Sequence, residues 1–428
     1  MSHFVIRPYV ICFVSGDIRV KTGAFSDRPS EASRVNDILI VGGGISGTLA
    51  ATTLGRAGYR VCLIDRYPIY PPDFRAEHLD GPQIDQLHRL GLLDDLTRGL
   101  YRGETVTTAR FGRVIGTDRT VNYGLRYEAF VNRARAHLPA HVRTIVGRVN
   151  SIETSDTLQR VRMSGGNTVA GRLVILATGH GNAICQQIGI RRRMVRKAHS
   201  LTFEFNIEPV AGSLFEHSFL VYQRERIRDQ VDYLATFTLG ATTRVNLFTY
   251  RDYRDPWTKA FLSDPDTGLA QVLPGLASVI GPYRTIGPAV ARPVDLYVSE
   301  GYRRDGVVMI GDVFQTACPA TGMGMVRLLT DIEQLCMVHL PRWLETPGMS
   351  AAKIATFYDD PVKQACDARA SHDAEYRRSV STETTLRWHL HRSRIRVTER
   401  VNGWRNHVPA SSHPRISMDG SEPSLAAG

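Results

Sequence analysis

The protein has 428 residues, 43% of them hydrophobic, and a formal net charge of +11. Most of its basic residues are arginine, and a nucleic-acid footprint would need them clustered on one face, so a solvated basic surface is favoured and no nucleic-acid partner is predicted. Six scattered cysteines without a CxxC pair predict a reduced, cytoplasmic protein. The sequence also predicts no membrane span and no secretion signal, because its early apolar run is short and interrupted.

The first strong pattern is a strand that runs into a glycine turn. Residues 1–36 lack periodicity and predict a flexible N-terminal extension. The apolar run 37–41 is typical of a strand buried in a parallel sheet, and Gly42-Gly43-Gly44-Ile45-Ser46-Gly47 follows it directly. In such a turn Gly42 permits the tight bend, Gly44 lets a pyrophosphate approach the backbone, and Gly47 lets the next helix pack on the strand. The helix that starts near Ile45 then offers free N–H groups to phosphates.

A second strand supports a dinucleotide. Residues 60–64 form an apolar run that ends on Asp65, about 20 residues after Gly42. A carboxylate at this spacing can accept hydrogen bonds from the hydroxyls of an adenosine ribose. The two features together predict dinucleotide binding, but they do not choose between FAD and NAD.

A third motif decides the cofactor. The buried strand 306–310 ends on Gly311-Asp312, and Pro319-Ala320-Thr321-Gly322-Met323-Gly324-Met325 follows before a helix. An aspartate after such a strand places a carboxylate under a polyol, and a helix N-terminus against the isoalloxazine stabilises the negative charge of reduced flavin. These motifs resemble the flavin monooxygenases of the para-hydroxybenzoate hydroxylase type. The chain is therefore expected to bind FAD.

The resemblance implies roles for single residues. Asp312 would hold the ribityl chain, Arg75 would reach the pyrophosphate, and Arg126 would lie near the flavin. No catalytic side chain and no metal site are identified. The residues expected to contact FAD are Gly42, Gly44, Ile45, Ser46, Gly47, Asp65, Arg66, Arg75, Arg126, Val149, Thr178, Gly179, Gly311, Asp312, Pro319, Gly322, Met323, Gly324 and Met325.

The chain departs from the family pattern at two places. The residues Val313-Phe314-Gln315 replace the alanine and histidine that usually follow the aspartate. The strand 172–177 ends in Thr178-Gly179, where the hydroxylases usually have Asp-Gly, a pair linked to reaction with the nicotinamide donor. No second GxGxxG occurs, so the electron donor is expected to be either transiently bound NAD(P)H or a partner reductase.

The predicted fold is of the α/β class, with a Rossmann-like FAD-binding domain, an inserted antiparallel β-sheet substrate domain and a C-terminal helical region. Alternating runs at 200–207, 218–223, 233–239 and 243–250 predict the antiparallel sheet. The expected boundaries are 37–196 and 285–345 for the FAD-binding domain, 197–284 for the substrate domain, 346–408 for the helices and 409–428 for a disordered tail. Six aromatic residues are candidates for the inward face of the sheet: Phe203, Phe205, Phe219, Tyr222, Phe237 and Phe248.

Three classes of function remain open on the sequence. The first is a monooxygenase in which reduced flavin takes up O2 as a peroxyflavin and passes one oxygen atom to a small aromatic or apolar substrate. The second keeps the fold but acts as a reductase or dehydrogenase; a halogenase is disfavoured because the WxWxIP stretch is missing and lysines are scarce. The third is a binding module without flavin. A homodimer or a complex with a reductase is compatible with each enzyme hypothesis.

Overall fold

A computed structural model describes residues 35–212 and 214–405, and within them the strands form two sheets. The predicted N-terminal extension lies outside the described residues except for Val35 and Asn36, and Asn36 already belongs to the first strand. The predicted tail 409–428 lies outside them entirely. In chain order the strands are β1 (Asn36–Val41), β2 (Val61–Asp65), β3 (Ala76–Leu79), β4 (Arg102–Arg110), β5 (Arg113–Arg126), β6 (Arg143–Val146), β7 (Val149–Glu153), β8 (Gln159–Met163), β9 (Thr168–Leu176), β10 (Arg191–Pro209), β11 (Phe219–Gln223), β12 (Val231–Leu239), β13 (Thr242–Thr249), β14 (Tyr283–Glu300) and β15 (Val307–Met309).

The helices lie between these strands and after them. Two short 3-10 turns, Gly311–Val313 and Pro319–Thr321, follow β15, and a π-helical segment, Glu333–His339, joins two of the helices. In chain order the helices are α1 (Ile45–Arg56), α2 (Gly81–Arg89), α3 (Leu93–Thr97), α4 (Tyr127–Ala136), α5 (Ala183–Gln187), α6 (Pro256–Ser263), α7 (Pro265–Val272), α8 (Ala277–Ile280), α9 (Met323–Ile332), α10 (Leu340–Leu344), α11 (Ala351–Tyr358), α12 (Pro361–Thr382) and α13 (Leu386–Arg405).

The first sheet is parallel at its centre. Strands run in the order β6-β2-β1-β9, β15 pairs in parallel with β9, and antiparallel β8 and β7 extend the far edge. The last residues of the central strands are in register, with Val41 opposite both Ile64 and Leu176, and Leu176 opposite Met309. The chain therefore leaves β1, β2, β9 and β15 at one edge of the sheet. This arrangement confirms the predicted α/β class, and this edge is where such sheets bind ligands.

The second sheet is antiparallel except for one pair and larger than the predicted substrate segment. Its strand order is β14-β10-β13-β12-β11-β4-β5-β3, so it takes strands from 76–126 and 283–300 as well as from within 197–284. The sequence did not predict this extension because β4 joins the sheet by a parallel pairing with β11, which lies about a hundred residues later. The domain boundaries themselves stay a prediction.

The six candidate aromatic residues divide between the two faces of this sheet. Phe203, Phe205 and Tyr222 pack in a core with Phe261 of α6 and Leu269 of α7. Phe219, Phe237 and Phe248 pack instead with Cys318 and Ala320, which border the turn at Pro319. We call the side that carries the second set the aromatic face. The expectation that all six residues point to one side was wrong for the first set, since alternate positions on a strand point to opposite faces.

The C-terminal helix α12 packs against the second sheet at β12 and against α9. The predicted helical composition of this region is confirmed by α11, α12 and α13. The carboxylate of Asp232 in β12 is fully buried, and it accepts hydrogen bonds from Arg377 at 3.2 Å and Ser381 at 3.1 Å, both in α12.

Among the described residues, no helix is both long and apolar enough to cross a membrane.

Candidate functional site

The first glycine turn (Gly42–Gly47) has the geometry that a close ligand needs. Gly42 adopts a φ of 106°, and a Cβ built on it would overlap the carbonyl oxygen of Ala177. A Cβ on Gly47 would overlap the carbonyl oxygen of Gly42, so α1 can approach β1 only without a side chain there. By contrast, a Cβ on Gly44 would meet no atom within 4 Å. The turn is therefore packed on its inner side and open beside the N-terminus of α1.

Asp65 closes the far end of this turn. Its Oδ2 accepts a hydrogen bond from the Gly43 N–H at 2.7 Å, and its Oδ1 accepts one from the Tyr67 N–H at 2.8 Å. Arg135 of α4 lies 3.3 Å from the same carboxylate, and its Nε donates to the Gly43 carbonyl at 2.8 Å. Sequence analysis did not single out Arg135, because nothing in its pattern separates it from the other arginines of α4. Its role is to hold the turn and Asp65 in one arrangement.

The second glycine turn (Pro319–Met325) and Gly311-Asp312 lie beside the first. A Cβ on Gly311 would lie 2.7 Å from the Oγ of Ser46, so the two motifs are in direct contact. Gly322 has a φ of 66° and precedes α9, which has no side-chain cap. A Cβ on Gly322 or Gly324 would meet no atom within 4 Å. The N-termini of α1 and α9 therefore both begin at open glycines at one edge of the first sheet.

A buried ion pair supports the Gly311-Asp312 turn. The Gly311 N–H donates to Oδ2 of Asp331 at 2.8 Å, and the ammonium of Lys363 donates to Oδ1 of the same residue at 2.6 Å. The side chains of Asp331 and Lys363 are each 1% exposed, and Asp367 lies 3.1 Å from the ammonium. Sequence analysis missed this network, whose members come from α9 and α12. It fixes the backbone that presents Asp312.

The remaining residues predicted to contact the cofactor differ in their exposure and in their contacts. Arg75 is ion-paired with Asp73 at 2.7 Å and stacks on Tyr127 at 4.0 Å. Arg126 and Arg66 are exposed, at the start of α4 and just after β2. Val149 is partly buried in β7, two residues after Gly147, whose N–H donates to the Asp65 carbonyl. Arg66 and Val149 thus lie close to Asp65 in the chain or through Gly147, and the contacts of all four residues with a cofactor stay predictions.

The strand end at Thr178 meets the same edge. The Ala177 N–H donates to the Val41 carbonyl, so Thr178-Gly179 lies next to the first glycine turn. The Thr178 hydroxyl donates to the Gly181 carbonyl at 3.0 Å, and Gly179 has a φ of 57°. His180 then reaches across, with its Nε2 3.8 Å from Oδ2 of Asp312. At the departure from Asp-Gly, the Thr178 hydroxyl is therefore bonded within its own turn, and the imidazole of His180 lies beside the carboxylate expected to hold the ribityl chain.

Glu77 adds a titratable group to the site. Burial raises the pKa of its carboxyl to about 7, the nearby Arg75 guanidinium opposes this rise, and the charges of Glu204 and Asp312 add to it. Glu77 lies two residues after Arg75, but sequence analysis could not foresee that its carboxyl would be buried near other carboxylates.

The donor set fits FAD. Two uncapped helix N-termini can bind phosphates and an anionic flavin, and they flank a gap that no side chain fills at Gly44, Gly322 or Gly324. Asp65 and Asp312 follow two strands of one parallel sheet, so the ribose and the ribityl chain of one molecule can reach both. These features define a flavin-binding α/β protein.

The comparison with known families agrees. The chain belongs to the FAD binding domain family, whose sequence model matches residues 36–338. The resemblance drawn from the three glycine and aspartate motifs is thereby confirmed, and FAD is the cofactor of this family.

Individual relatives are distant. A 56-residue segment is 41% identical to uncharacterized proteins of Mycobacterium tuberculosis and covers 13% of this chain and 15% of theirs. The chain is 27% identical to 6-hydroxynicotinate 3-monooxygenase of Bordetella bronchiseptica over 33% of its own length and 40% of the relative. It is 23% identical to para-nitrophenol 4-monooxygenase of a Pseudomonas species over 70% of its own length and 77% of the relative. The chain thus spans less than half the length of all these relatives except the last.

Solved structures share the fold. The p-nitrophenol 4-monooxygenase of Pseudomonas putida superimposes with a TM-score of 0.68 at 20% identity, covering 86% of this chain and 94% of that one. The flavin-dependent brominase Bmp2 superimposes with a TM-score of 0.63 at 14% identity, covering 86% and 94%. Since one fold here serves different reactions, the likeness fixes the architecture and leaves the reaction to the site.

Proposed function

We propose that the protein is an FAD-dependent monooxygenase that inserts one atom of O2 into a small aromatic substrate. The observation that carries this proposal is the contact between the second glycine turn and the aromatic face. Cys318 and Ala320 are fully buried, and they share one apolar cluster with Phe219, Phe237 and Phe248. The position expected for the flavin ring thus borders a surface that suits an aromatic ring.

The residues of the chain would bind the cofactor and exclude water. The open glycines at α1 and α9 would receive the phosphates and the flavin ring, Asp65 the ribose and Asp312 the ribityl chain. Bound FAD would supply the reaction with O2, which no side chain can perform. The apolar cluster would keep water from the reacting atoms. This division of labour requires no catalytic metal and no nucleophilic side chain.

The electron donor belongs to the same proposal. Transiently bound NAD(P)H or a partner reductase would reduce the flavin, and Thr178-Gly179 beside His180 is the segment whose sequence bears on that choice. A homodimer is compatible with either donor. A cytoplasmic location, expected from the scattered cysteines, also stays part of this proposal.

A second candidate is a reductase or dehydrogenase on the same fold. It is favoured by Thr178, which replaces the aspartate that hydroxylases of this type usually have at the position. The difference between the candidates is whether oxygen from O2 enters the product.

Isotope labelling tests the proposal. FAD-loaded protein, NADPH or NADH and a panel that includes 4-nitrophenol and 6-hydroxynicotinate are incubated under ¹⁸O2, and the products are analysed by mass spectrometry. A monooxygenase places one ¹⁸O atom in the product for each O2 consumed. Substrate oxidation with an artificial acceptor in the absence of O2, and no label under ¹⁸O2, would establish the dehydrogenase instead. A preparation that stays colourless after addition of FAD would exclude both.

A further inference from the structure

Among the described residues of the aromatic face and the strands beside it, several buried polar atoms make no hydrogen bond. Two of them, Oε2 of Glu204 and Nε of Arg292, form an ion pair with each other at 3.5 Å. Three others have no polar partner: Nε2 of His78, Oγ1 of Thr202 and Oδ1 of Asn246. Thr202 is directly opposite Phe248, and Asn246 is directly opposite Ala235, two residues before Phe237. Directly opposed residues project from the same face of a sheet. Because buried polar atoms in folded proteins are nearly always paired, three unpaired atoms on one face indicate a place for a ligand with polar groups.

His78 lies where the aromatic face meets the second glycine turn. It alternates with Ala76 on β3, and Ala76 belongs to the apolar cluster that contains Cys318 and Ala320. The imidazole stacks on Phe219, with ring centroids 3.6 Å apart and an interplanar angle of 7°, and its centroid is 6.0 Å from that of Phe237. The imidazole of His78 is thus a polar group among the apolar side chains of the aromatic face.

The neighbours of His78 determine which of its nitrogens carries the proton. His78 hydrogen-bonds the side chain of Asn122, and since Nε2 has no partner, the bonded atom is Nδ1. The Asn122 amide nitrogen already donates to the carbonyls of Thr105 at 3.2 Å and Thr120 at 3.0 Å, so its oxygen must accept from His78. Nδ1 therefore carries the hydrogen, and Nε2 presents a lone pair.

The charge state agrees with this assignment. Burial lowers the pKa of His78 to about 4, so the ring is neutral near physiological pH. A neutral imidazole with Nδ1–H can only accept a hydrogen bond at Nε2. Nε2 of His78 is thus a hydrogen-bond acceptor on the aromatic face that has no donor.

We propose that His78 Nε2 recognises the substrate, and that the substrate is an aromatic molecule that presents an O–H or N–H group to it. This inference rests on the proposed function, since the same face would receive the substrate. The apolar side chains around His78 accept an aromatic ring, and the lone acceptor selects rings that carry a donor. An ether in place of the hydroxyl would leave Nε2 buried and unpaired, a loss worth about a tenfold change in affinity.

Calorimetric titration of oxidised, FAD-loaded protein with a matched pair of probes tests the assignment. The probes are 4-nitrophenol and its methyl ether, 4-nitroanisole, in which a methyl group replaces the hydroxyl hydrogen. The titration is done at about pH 5.5, where 4-nitrophenol keeps its proton and His78 is still neutral. Wild-type protein should bind the phenol about tenfold more tightly than the ether. In His78→Phe, which keeps an aromatic ring against Phe219 but removes the acceptor, the two affinities should agree within about twofold. His78→Gln, which restores an acceptor, should recover part of the preference.

An equal affinity of wild-type protein for the two probes, or binding of neither, would overturn the assignment without reference to any variant. A preference that persists in a folded, FAD-containing His78→Phe protein would overturn it as well. The titration uses neither reductant nor O2. A protein that prefers the phenol but incorporates no ¹⁸O would therefore refute the proposed reaction and leave the role of His78 intact. A protein that incorporates ¹⁸O but binds the phenol and the ether equally would refute the role of His78 and leave the proposed reaction intact.

Discussion

The edge of the first sheet and the aromatic face of the second are the two parts of the proposed site, and they depend on different properties of the chain. At the edge, the ligand would meet backbone, so the requirement is for glycine and a few carboxylates at fixed positions. On the aromatic face, the ligand would meet side chains, and a β-strand accepts many residue types at such positions. The first kind of site tolerates almost no change at its turns, while the second can change its residues and with them its substrate.

The largest effect is expected where backbone packs on backbone. In Gly47→Ala the new methyl group would overlap the Gly42 carbonyl oxygen, so α1 must move away from β1. We expect the free energy of unfolding of the apoprotein to fall by more than about 5 kcal/mol, measured by urea denaturation, because the overlap is with backbone. Gly44→Ala is the matched control, because its methyl group meets no atom. It should leave apoprotein stability within about 1 kcal/mol and weaken FAD binding. Equal losses of stability in the two variants would contradict the account of this turn.

The ion pair beneath Gly311 should have the next largest effect. Lys363→Met removes the cation that neutralises Asp331 and leaves a carboxylate buried and unpaired. The expected loss of stability is about 3 to 5 kcal/mol, together with weaker FAD binding, because Asp331 also holds the Gly311 N–H. Lys259→Met, at an exposed lysine, is the control and should change stability by less than about 0.5 kcal/mol. Unchanged FAD affinity in a folded Lys363→Met protein would show that this pair stabilises the fold only.

Sequence analysis recovered the edge well and the aromatic face poorly, for a physical reason. Gly42, Gly47 and Gly311 are required by local backbone geometry, which leaves a local signature. His78 and Asn122 matter only through contacts made when β3, β5 and β11 join one sheet, and no short-range pattern reports that pairing. Asp331 and Lys363, 32 residues apart, likewise meet only after α9 and α12 have packed.

A smaller effect, dependent on pH, is expected at Glu77, between the two regions. Its pKa in the folded protein, about 7, lies above the ordinary value of 4.5, so its contribution to stability is full below pH 4.5 and is lost as the pH rises through 7. Glu77→Gln should therefore match wild-type stability near pH 4 and exceed it by up to about 3 kcal/mol at pH 8. Denaturation across this range, with the exposed Glu104→Gln as control, measures the difference. A constant difference at all pH values would mean that Glu77 does not titrate in this window.

The smallest effect on the fold, and one that separates ligand contact from structure, is expected at Asp312. Its side chain is 40% exposed and sits on a turn held by Asp331, so removing the carboxylate should change apoprotein stability by less than about 0.5 kcal/mol. If it holds the ribityl chain, Asp312→Ala should raise the Kd for FAD about tenfold, and Asp312→Asn, which keeps one acceptor oxygen, should raise it less. Fluorescence titration of the apoproteins with FAD measures both. Unchanged affinity in Asp312→Ala would mean that the Gly311-Asp312 turn supports the flavin through its backbone alone. FAD binding at the edge of the first sheet would then depend on the glycines and not on the Asp312 carboxylate.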